Sequence, residues 1–274
     1  MRHVLAPRAS AVIDAFVALR PLIAFDFDGT LAPIARTPED VAMRPATRRL
    51  LAGLARLVPC VVISGRRRSD VLRHVGDAGL AAVVGNHGLE PSGRVRPDGR
   101  LALWAAELRA RLARHGGIWV EDKGFSLAVH YRASRDWARS ERVSLRAARA
   151  LRGARAFGGK AVVNVVPVGA TDKAGAVLRL RDQLRCGAVV YVGDEETDES
   201  VFALADRDLV LGIRVGHDAG SAARYYVRRQ SEVDALVGRI LRAARRQGRR
   251  PRGAVRIGRS AAARGAAHTR RPRR

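Results

Sequence analysis

The amino-acid sequence predicts an α/β protein whose core is a doubly wound parallel sheet. Short apolar runs alternate with helical patterns in residues 1–89 and again in residues 168–246, as in parallel strands joined by helices. Runs such as Leu22–Phe25 are apolar throughout, which is typical of strands buried on both faces. Residues 90–167 instead show a helix–hairpin–helix–hairpin pattern. We therefore expect a core of two segments with an inserted α+β domain.

The elements of the first core segment follow from its apolar spacing. Leu50, Leu51, Leu54 and Leu57 recur at helical spacing and predict a helix. The predicted order is a lead-in helix (1–20), strand 22–25, helix 44–57, strand 59–63, a helix at 70–75 and strand 81–84.

The inserted segment and the second core segment are interpreted in the same way. Leu101, Trp104, Leu108 and Leu112 recur at core spacing and predict a helix, and glycine-containing turns separate the paired strands. The predicted order is a turn-rich hairpin (93–99), helix 101–115, strands 118–121 and 125–131, helix 137–151, strands 154–157 and 161–166, helix 173–184, strand 188–192, helix 199–204, strand 209–213 and helix 234–246.

Composition is that of an ordinary globular protein. The 274 residues are 47% hydrophobic, and no apolar stretch approaches the roughly 20 residues that a membrane span needs. Residues 11–25 are broken by Asp14 and Arg20 and make no convincing secretory signal. The two cysteines, Cys60 and Cys186, predict free core thiols in a reducing compartment. We expect a cytoplasmic monomer without a transmembrane segment.

The C-terminal segment 247–274 differs from the rest of the chain. The net charge is +25, and residues 241–274 hold thirteen arginines and no acidic residue. Because the segment has few large apolar residues, it cannot bury enough surface to fold alone, and we predict a basic disordered tail. One interpretation is a solvated extension. The other, from a different function class, is a weak contact with nucleic acid or an anionic surface through counterion release.

The string Phe25–Ile34 carries the first chemical motif. Asp26 and Asp28 lie two residues apart just after the first buried strand, and Gly29–Thr30 follow. Open α/β sheets bind ligands at the carboxyl ends of their strands. Two carboxylates there repel each other unless a cation neutralises them, and Mg²⁺ prefers oxygen ligands. The pair predicts a magnesium site, and the alternative is that Asp28 only caps a turn.

Three further motifs follow the first in order. Ser64 and Gly65 end the second strand, Lys173 begins a helix, and the acidic run 194–199 follows a third strand. The chain has only three lysines among its 51 basic residues, so Lys173 and Lys123 are candidates for positions where a compact ammonium is needed beside a phosphate. The alternatives are an N-cap role for Ser64, a solvated lysine and a solvated acidic turn.

These four motifs, in this order, resemble those of the haloacid dehalogenase (HAD) superfamily of phosphotransferases. The strings F-D-G-T-L-A-P, S-G-R, N-H-G-L-E, E-D-K-G-F-S-L-A-V-H-Y-R and G-D-E-E-T-D-E-S-V-F are similar to those of one branch, the trehalose-6-phosphate phosphatases. The resemblance implies a HAD-like core, a cap at residues 90–167 that selects the substrate, a Mg²⁺ cofactor and hydrolysis of trehalose 6-phosphate. His87 and His130 lie within these strings, and we assign neither a catalytic role.

The resemblance also implies a role for each core residue. Asp26 is the nucleophile and forms an aspartyl-phosphate. Asp28 protonates the leaving sugar oxygen and then deprotonates water. Ser64, Gly65 and Lys173 bind the phosphoryl group. The implied metal ligands are Asp26, the backbone carbonyl of Asp28, Asp194 and, directly or one step removed, Asp198.

The cap residues are expected to choose the sugar. Glu121 and Lys123 flank a hairpin tip that can reach the core site, and the resemblance implies that they hold sugar hydroxyls together with Ser126. The alternative for the first two is an exposed ion pair, which is worth little. Where many family members carry an acid and a base, this chain has Asn164, which can still bond a hydroxyl, and Val166. This departure keeps sucrose 6-phosphate and glucosyl or mannosyl phosphoglycerate as alternative substrates.

Overall fold

The computed structural model describes residues 1–35, 37, 40–91, 96–159, 161–205 and 209–248. Within them, the chain forms a seven-stranded parallel sheet and a separate four-stranded antiparallel sheet. The predicted doubly wound parallel-sheet core with an inserted α+β domain is therefore confirmed.

The seven-stranded sheet is parallel throughout. Its strands are β1 (Arg2–His3), β2 (Pro21–Phe25), β3 (Cys60–Ile63), β4 (Ala82–Val84), β9 (Ala188–Gly193), β10 (Val210–Val215) and β11 (Tyr225–Val227). Their spatial order is β1-β11-β10-β9-β2-β3-β4. The strand that carries the first motif, β2, therefore lies between β9 and β3, which carry two of the others.

Helices cover both faces of this sheet because its central strands are apolar on both sides. Ile23 and Phe25 of β2 pack into one hydrophobic layer, whereas Leu22 and Ala24 pack into the other. The first layer is completed by α1 (Ala11–Ala18), α2 (Pro45–Ala55), α3 (Arg68–Val75) and α8 (Val233–Gly248). The second is completed by α6 (Lys173–Gln183) and α7 (Glu199–Phe202).

The inserted segment has its own sheet and core. Its strands pair antiparallel in the order β5 (Trp119–Asp122), β6 (Leu127–His130), β8 (Val162–Pro167) and β7 (Ala154–Gly159). Its helices are α4 (Arg100–Leu112) and α5 (Trp137–Arg149). A third hydrophobic cluster contains buried residues from Leu101 to Val165 and joins both helices to the strands. The exact domain boundaries stay a prediction.

Two short elements were not predicted. Residues 1–20 do not form one helix: β1 occupies the start, Val4 donates a backbone hydrogen bond to Tyr226 at 2.9 Å, and α1 begins only at Ala11. Both β1 and β11 are too short for an alternating pattern, so pairing with neighbouring strands determines them. Of the hairpin predicted at 93–99, residues 93–95 lie outside the described residues, and residues 96–99 form no strand.

Three predictions made from composition can be compared with the structure. Among the described helices, none combines the length and apolarity that crossing a membrane requires. Cys60 is a buried free thiol, and Cys186 is also free but only partly buried. Helix α8 extends through Gly248, and the rest of the basic segment 247–274 lies outside the described residues.

Candidate active site

The candidate residues from separate motifs meet at one edge of the seven-stranded sheet. β9, β2 and β3 are parallel neighbours, so their carboxyl ends open at the same edge. Asp26 and Asp28 follow β2, Ser64 follows β3, and Asp194 follows β9. The remaining motif residue, Lys173, reaches this edge from the start of α6.

Lys173 is a buried ammonium between two carboxylates. Its Nζ donates to Asp26 Oδ1 at 2.9 Å and to Asp198 Oδ1 at 2.7 Å, and its side chain is 0% exposed. Asp172 caps the helix by accepting from the Gly175 N–H at 2.9 Å. Burial by itself lowers the pKa of Lys173, but Asp198 and Asp26 more than offset this and raise it. The alternative of a solvated lysine is wrong.

Asp198 orients that ammonium. Its Oδ1 also accepts from the Tyr191 hydroxyl at 2.6 Å, and its Oδ2 accepts from the Glu195 N–H at 2.9 Å. Both of its oxygens therefore have protein donors. Sequence reasoning missed Tyr191; the available signal was an aromatic hydroxyl within an otherwise apolar strand, because a buried hydroxyl requires a partner.

Three carboxylates form a cluster that could hold a metal ion. One oxygen from each of Asp26, Asp194 and Asp198 lies within 4.8 Å of the others. Burial raises the pKa of Asp26 well above its ordinary value, Lys173 opposes the rise, and Asp198 adds to it. Burial, followed by neighbouring carboxylates, raises the pKa of Asp194 to about 7. The single ammonium of Lys173 therefore does not balance the negative charge of the three carboxylates.

The carboxylate oxygens of this cluster suit a hard divalent cation. Asp26 Oδ2 is buried and has no hydrogen-bond partner among the described residues, although buried carboxylate oxygens normally have one. The Thr30 hydroxyl donates to Asp194 Oδ1 at 3.0 Å and fixes that carboxylate. Carboxylate oxygens are the ligands that Mg²⁺ prefers.

Asp28 makes a different contact from the clustered acids. Arg66 holds it with two hydrogen bonds, from Nε to Oδ2 at 2.7 Å and from Nη2 to Oδ1 at 2.9 Å. Nη1 of Arg66 also bonds Asp70 at 2.8 Å. A bidentate arginine fixes both the position and the orientation of a carboxylate. Sequence reasoning quoted Arg66 within its motif but gave it no role, because its partner lies 38 residues away.

Ser64 lies beside this pair. Its side chain is buried, and its Oγ accepts from the Arg66 N–H at 3.1 Å. Because α3 begins only at Arg68, the alternative in which Ser64 caps that helix is wrong. Gly65 follows, where a Cβ atom would overlap the His87 ring. The sequence Ser-Gly therefore provides a hydroxyl and close backbone packing at the same point.

The predicted hairpin tip of the cap contacts the core. Lys123 Nζ donates to the carbonyl of Gly65 at 3.1 Å. Burial lowers the pKa of Lys123, and the Glu121 carboxylate opposes the fall. The Glu121 carboxylate bonds His130 Nε2 at 2.9 Å. The tip thus places an ammonium directly over the Ser-Gly motif.

The other two predicted cap residues lie deeper. Ser126 is fully buried, and its hydroxyl donates to Asn86 Oδ1 at 2.7 Å. Asn164 is 3% exposed. Burial and the neighbouring lysines lower the pKa of His87, and the adjacent Asn164 side chain partly offsets this. The roles of Ser126 and Asn164 as substrate contacts stay predictions.

The parallel sheet, the inserted cap and the convergence of motifs at the sheet edge define a HAD-like α/β protein. A family model described as trehalose-phosphatase matches residues 24–231, so the chain belongs to the trehalose-phosphatase family. It is 35% identical over 214 residues to a trehalose-phosphate phosphatase of Mycobacterium tuberculosis, covering 71% of this chain and 54% of the relative. The corresponding Mycobacterium marinum protein is 33% identical over 250 residues, covering 83% and 63%. The chain thus spans about half the length of the first of these relatives.

Solved structures share the fold at lower identity. The C-terminal domain of a Candida albicans trehalose-6-phosphate phosphatase has a TM-score of 0.72 at 18% identity, covering 85% of this chain and 96% of that one. A trehalose-6-phosphate phosphatase of Aspergillus fumigatus has a TM-score of 0.60 at 22% identity, covering 88% and 100%.

Because one ammonium does not balance the three carboxylates of the acid cluster, we predict that Mg²⁺ stabilises the fold. The pKa of Asp194 is raised from 3.8 to about 7, so without metal this group favours the folded state only when protonated, and stability falls as the pH rises through that interval. At pH values above this interval, we expect added Mg²⁺ to raise the melting temperature. Asp194→Asn should melt higher than wild type in a chelator and lose most of the Mg²⁺ response.

Asp182→Asn is the matched control, because Asp182 is 69% exposed and remote from the cluster. It should keep the full Mg²⁺ response. An undiminished response in Asp194→Asn would contradict the assignment of the cation to this cluster.

Proposed function

We propose that this protein hydrolyses trehalose 6-phosphate to trehalose and phosphate with Mg²⁺, through a phosphorylated aspartate. The observation that carries the proposal is the buried ammonium of Lys173, held between Asp26 and Asp198 beside a cluster of carboxylates. Such a site attracts and neutralises a phosphate group. The curated relatives named trehalose-phosphate phosphatases support the choice of substrate.

Asp26 attacks the phosphorus atom. Lys173 holds its Oδ1, which keeps the carboxylate oriented and reduces its repulsion of the incoming anion. A bond forms between an Asp26 oxygen and phosphorus as the bond from phosphorus to the sugar O6 breaks. Water then attacks the same phosphorus, releasing inorganic phosphate and restoring the carboxylate. Mg²⁺ held at the acid cluster would supply positive charge to neutralise the phosphoryl oxygens.

Asp28 moves the protons. It protonates the departing sugar oxygen and later accepts a proton from the attacking water. The two bonds from Arg66 fix the position and orientation of this carboxylate.

The remaining core residues hold the substrate phosphate and the cation. The Ser64 hydroxyl, the Gly65 backbone and the Lys173 ammonium bind phosphoryl oxygens. Since protein donors already occupy both oxygens of Asp198, its main contribution is to fix Lys173. The proposed Mg²⁺ ligands are Asp26, the carbonyl of Asp28, Asp194 and, more remotely, Asp198.

The segment 90–167 acts as a cap that selects the sugar. Lys123 supports this role because it already bonds the core at Gly65, and Glu121, Ser126 and Asn164 are the other proposed sugar contacts. The uncharged pair Asn164 and Val166 keeps sucrose 6-phosphate and glucosyl or mannosyl phosphoglycerate as the second set of candidates. The monomeric state, a cytoplasmic location and polyanion binding by the tail stay predictions.

A panel of sugar phosphates tests the substrate. The kcat/KM for phosphate release should be highest with trehalose 6-phosphate, because the proposed cap contacts bind its second sugar ring. The panel contains sucrose 6-phosphate, glucosyl and mannosyl phosphoglycerate, and p-nitrophenyl phosphate as a reference without a sugar. A ranking with trehalose 6-phosphate well below another sugar phosphate would overturn the assignment and leave the phosphatase chemistry standing.

Asp26→Asn tests the nucleophile. Replacing the carboxylate by a neutral amide should lower kcat by at least about a thousandfold, while circular dichroism shows an intact fold. Asp182→Asn should retain wild-type turnover. Residual activity of more than a few per cent would remove Asp26 as the nucleophile.

A further inference from the structure

The central strand β9 carries a single polar side chain, that of Tyr191, which the proposed reaction does not use. Its neighbours along the strand are Val190 and Val192, and the side chain of Tyr191 is fully buried. The hydroxyl donates to Asp198 Oδ1 at 2.6 Å. Because a buried hydroxyl is unfavourable without a partner, this bond is what allows a tyrosine to stand between two valines.

Packing alone does not account for the hydroxyl. The Tyr191 ring lies edge-on to Phe202 of α7, with the ring centroids 5.9 Å apart. A phenylalanine at position 191 would make the same ring contact without burying a polar group. The contribution of the hydroxyl therefore lies in the carboxylate that it bonds.

The Asp198 carboxylate is fixed from three directions. Its Oδ1 accepts from the Tyr191 hydroxyl and, at 2.7 Å, from Lys173 Nζ. Its Oδ2 accepts from the Glu195 N–H at 2.9 Å. The carboxylate also lies against Gly193, where a Cβ atom would overlap it. This carboxylate is therefore held in one orientation, with an oxygen directed at the ammonium.

Tyr191 is the rigid end of a chain of hydrogen bonds that reaches Asp26. Its strand pairs with β2 on one side and β10 on the other, so its backbone is fixed in the middle of the sheet. Asp198 instead lies in the short helical turn Glu196–Asp198, and Lys173 reaches Asp26 Oδ1 at 2.9 Å through a flexible four-carbon side chain. Reactive groups are placed most precisely when their supports begin on a rigid element.

We propose that Tyr191 is a positioning residue, whose hydroxyl fixes the Asp198 carboxylate so that this carboxylate holds the Lys173 ammonium in place beside Asp26. The hydroxyl acts only through these two side chains and touches no reacting atom. The expected effect on turnover rests on the proposed function, because it takes Asp26 as the nucleophile. The effect on the placement of Lys173 does not.

Tyr191→Phe tests the placement of Lys173, because it removes the hydroxyl and keeps the ring. Val189→Ala is the matched control, since Val189 is a buried residue of the same strand and the same hydrophobic layer. The chain has three lysines, so nuclear magnetic resonance of protein labelled with nitrogen-15 lysine resolves few ammonium signals. Buried, hydrogen-bonded protons exchange slowly with water, and the Lys173 signal is identified by its loss in Lys173→Met. We expect this signal in wild type and in Val189→Ala, and a shifted or broadened signal in Tyr191→Phe.

Turnover provides a second readout. Tyr191→Phe should lower kcat about tenfold or more on both trehalose 6-phosphate and p-nitrophenyl phosphate, with KM changed by less than about threefold. The ammonium is still present to attract phosphate, but it no longer holds the nucleophile in one orientation. Val189→Ala should retain wild-type kcat at a temperature where circular dichroism shows both variants folded.

A Lys173 signal that is the same in Tyr191→Phe and wild type would overturn the inference, and so would its absence from wild type. An unchanged kcat in Tyr191→Phe, or equal changes in Val189→Ala, would overturn it as well. If wild type releases phosphate from no compound in the panel, the proposed function fails, and the Lys173 signal decides the role of Tyr191 separately.

Discussion

The site depends on one buried ammonium. Lys173 donates to both Asp26 and Asp198 within a region that excludes water, and each partner alone would be an uncompensated buried charge. The lysine therefore permits the acids to be buried at all, and it fixes one oxygen of Asp26 in place. Because three carboxylates share this space, the lysine does not neutralise them fully. The remaining negative charge suits this cluster to a cation.

The sheet topology makes this arrangement possible. β9, β2 and β3 are adjacent, so residues that are far apart in sequence emerge at neighbouring strand ends, as expected where the strand connections diverge in a doubly wound sheet. The cap strands then close over this edge, with Lys123 bonding Gly65 on one side and Arg155 facing the core across a cavity on the other.

The sequence predicted the core well because local patterns determine it. The apolar runs place the central strands within one or two residues, and the acids, hydroxyl and lysine lie at strand and helix ends as expected. What it could not predict depends on contacts between distant segments. Nothing near Asp28 indicates that Arg66 will donate hydrogen bonds to it. Nothing in β8 indicates that Arg155 of β7 will lie opposite Val166. Strands of two or three residues, such as β1, carry no periodic signal at all.

The central claim is that the neutralised carboxylate of Asp26 accepts the phosphoryl group. Protein mixed with trehalose 6-phosphate and Mg²⁺, quenched in acid within one turnover and digested, can be examined by mass spectrometry. The account predicts one added phosphoryl group on the peptide that contains Asp26, removed by hydroxylamine and absent when Lys173 is replaced by methionine. Steady turnover in which the phosphoryl group is found on another residue would contradict it.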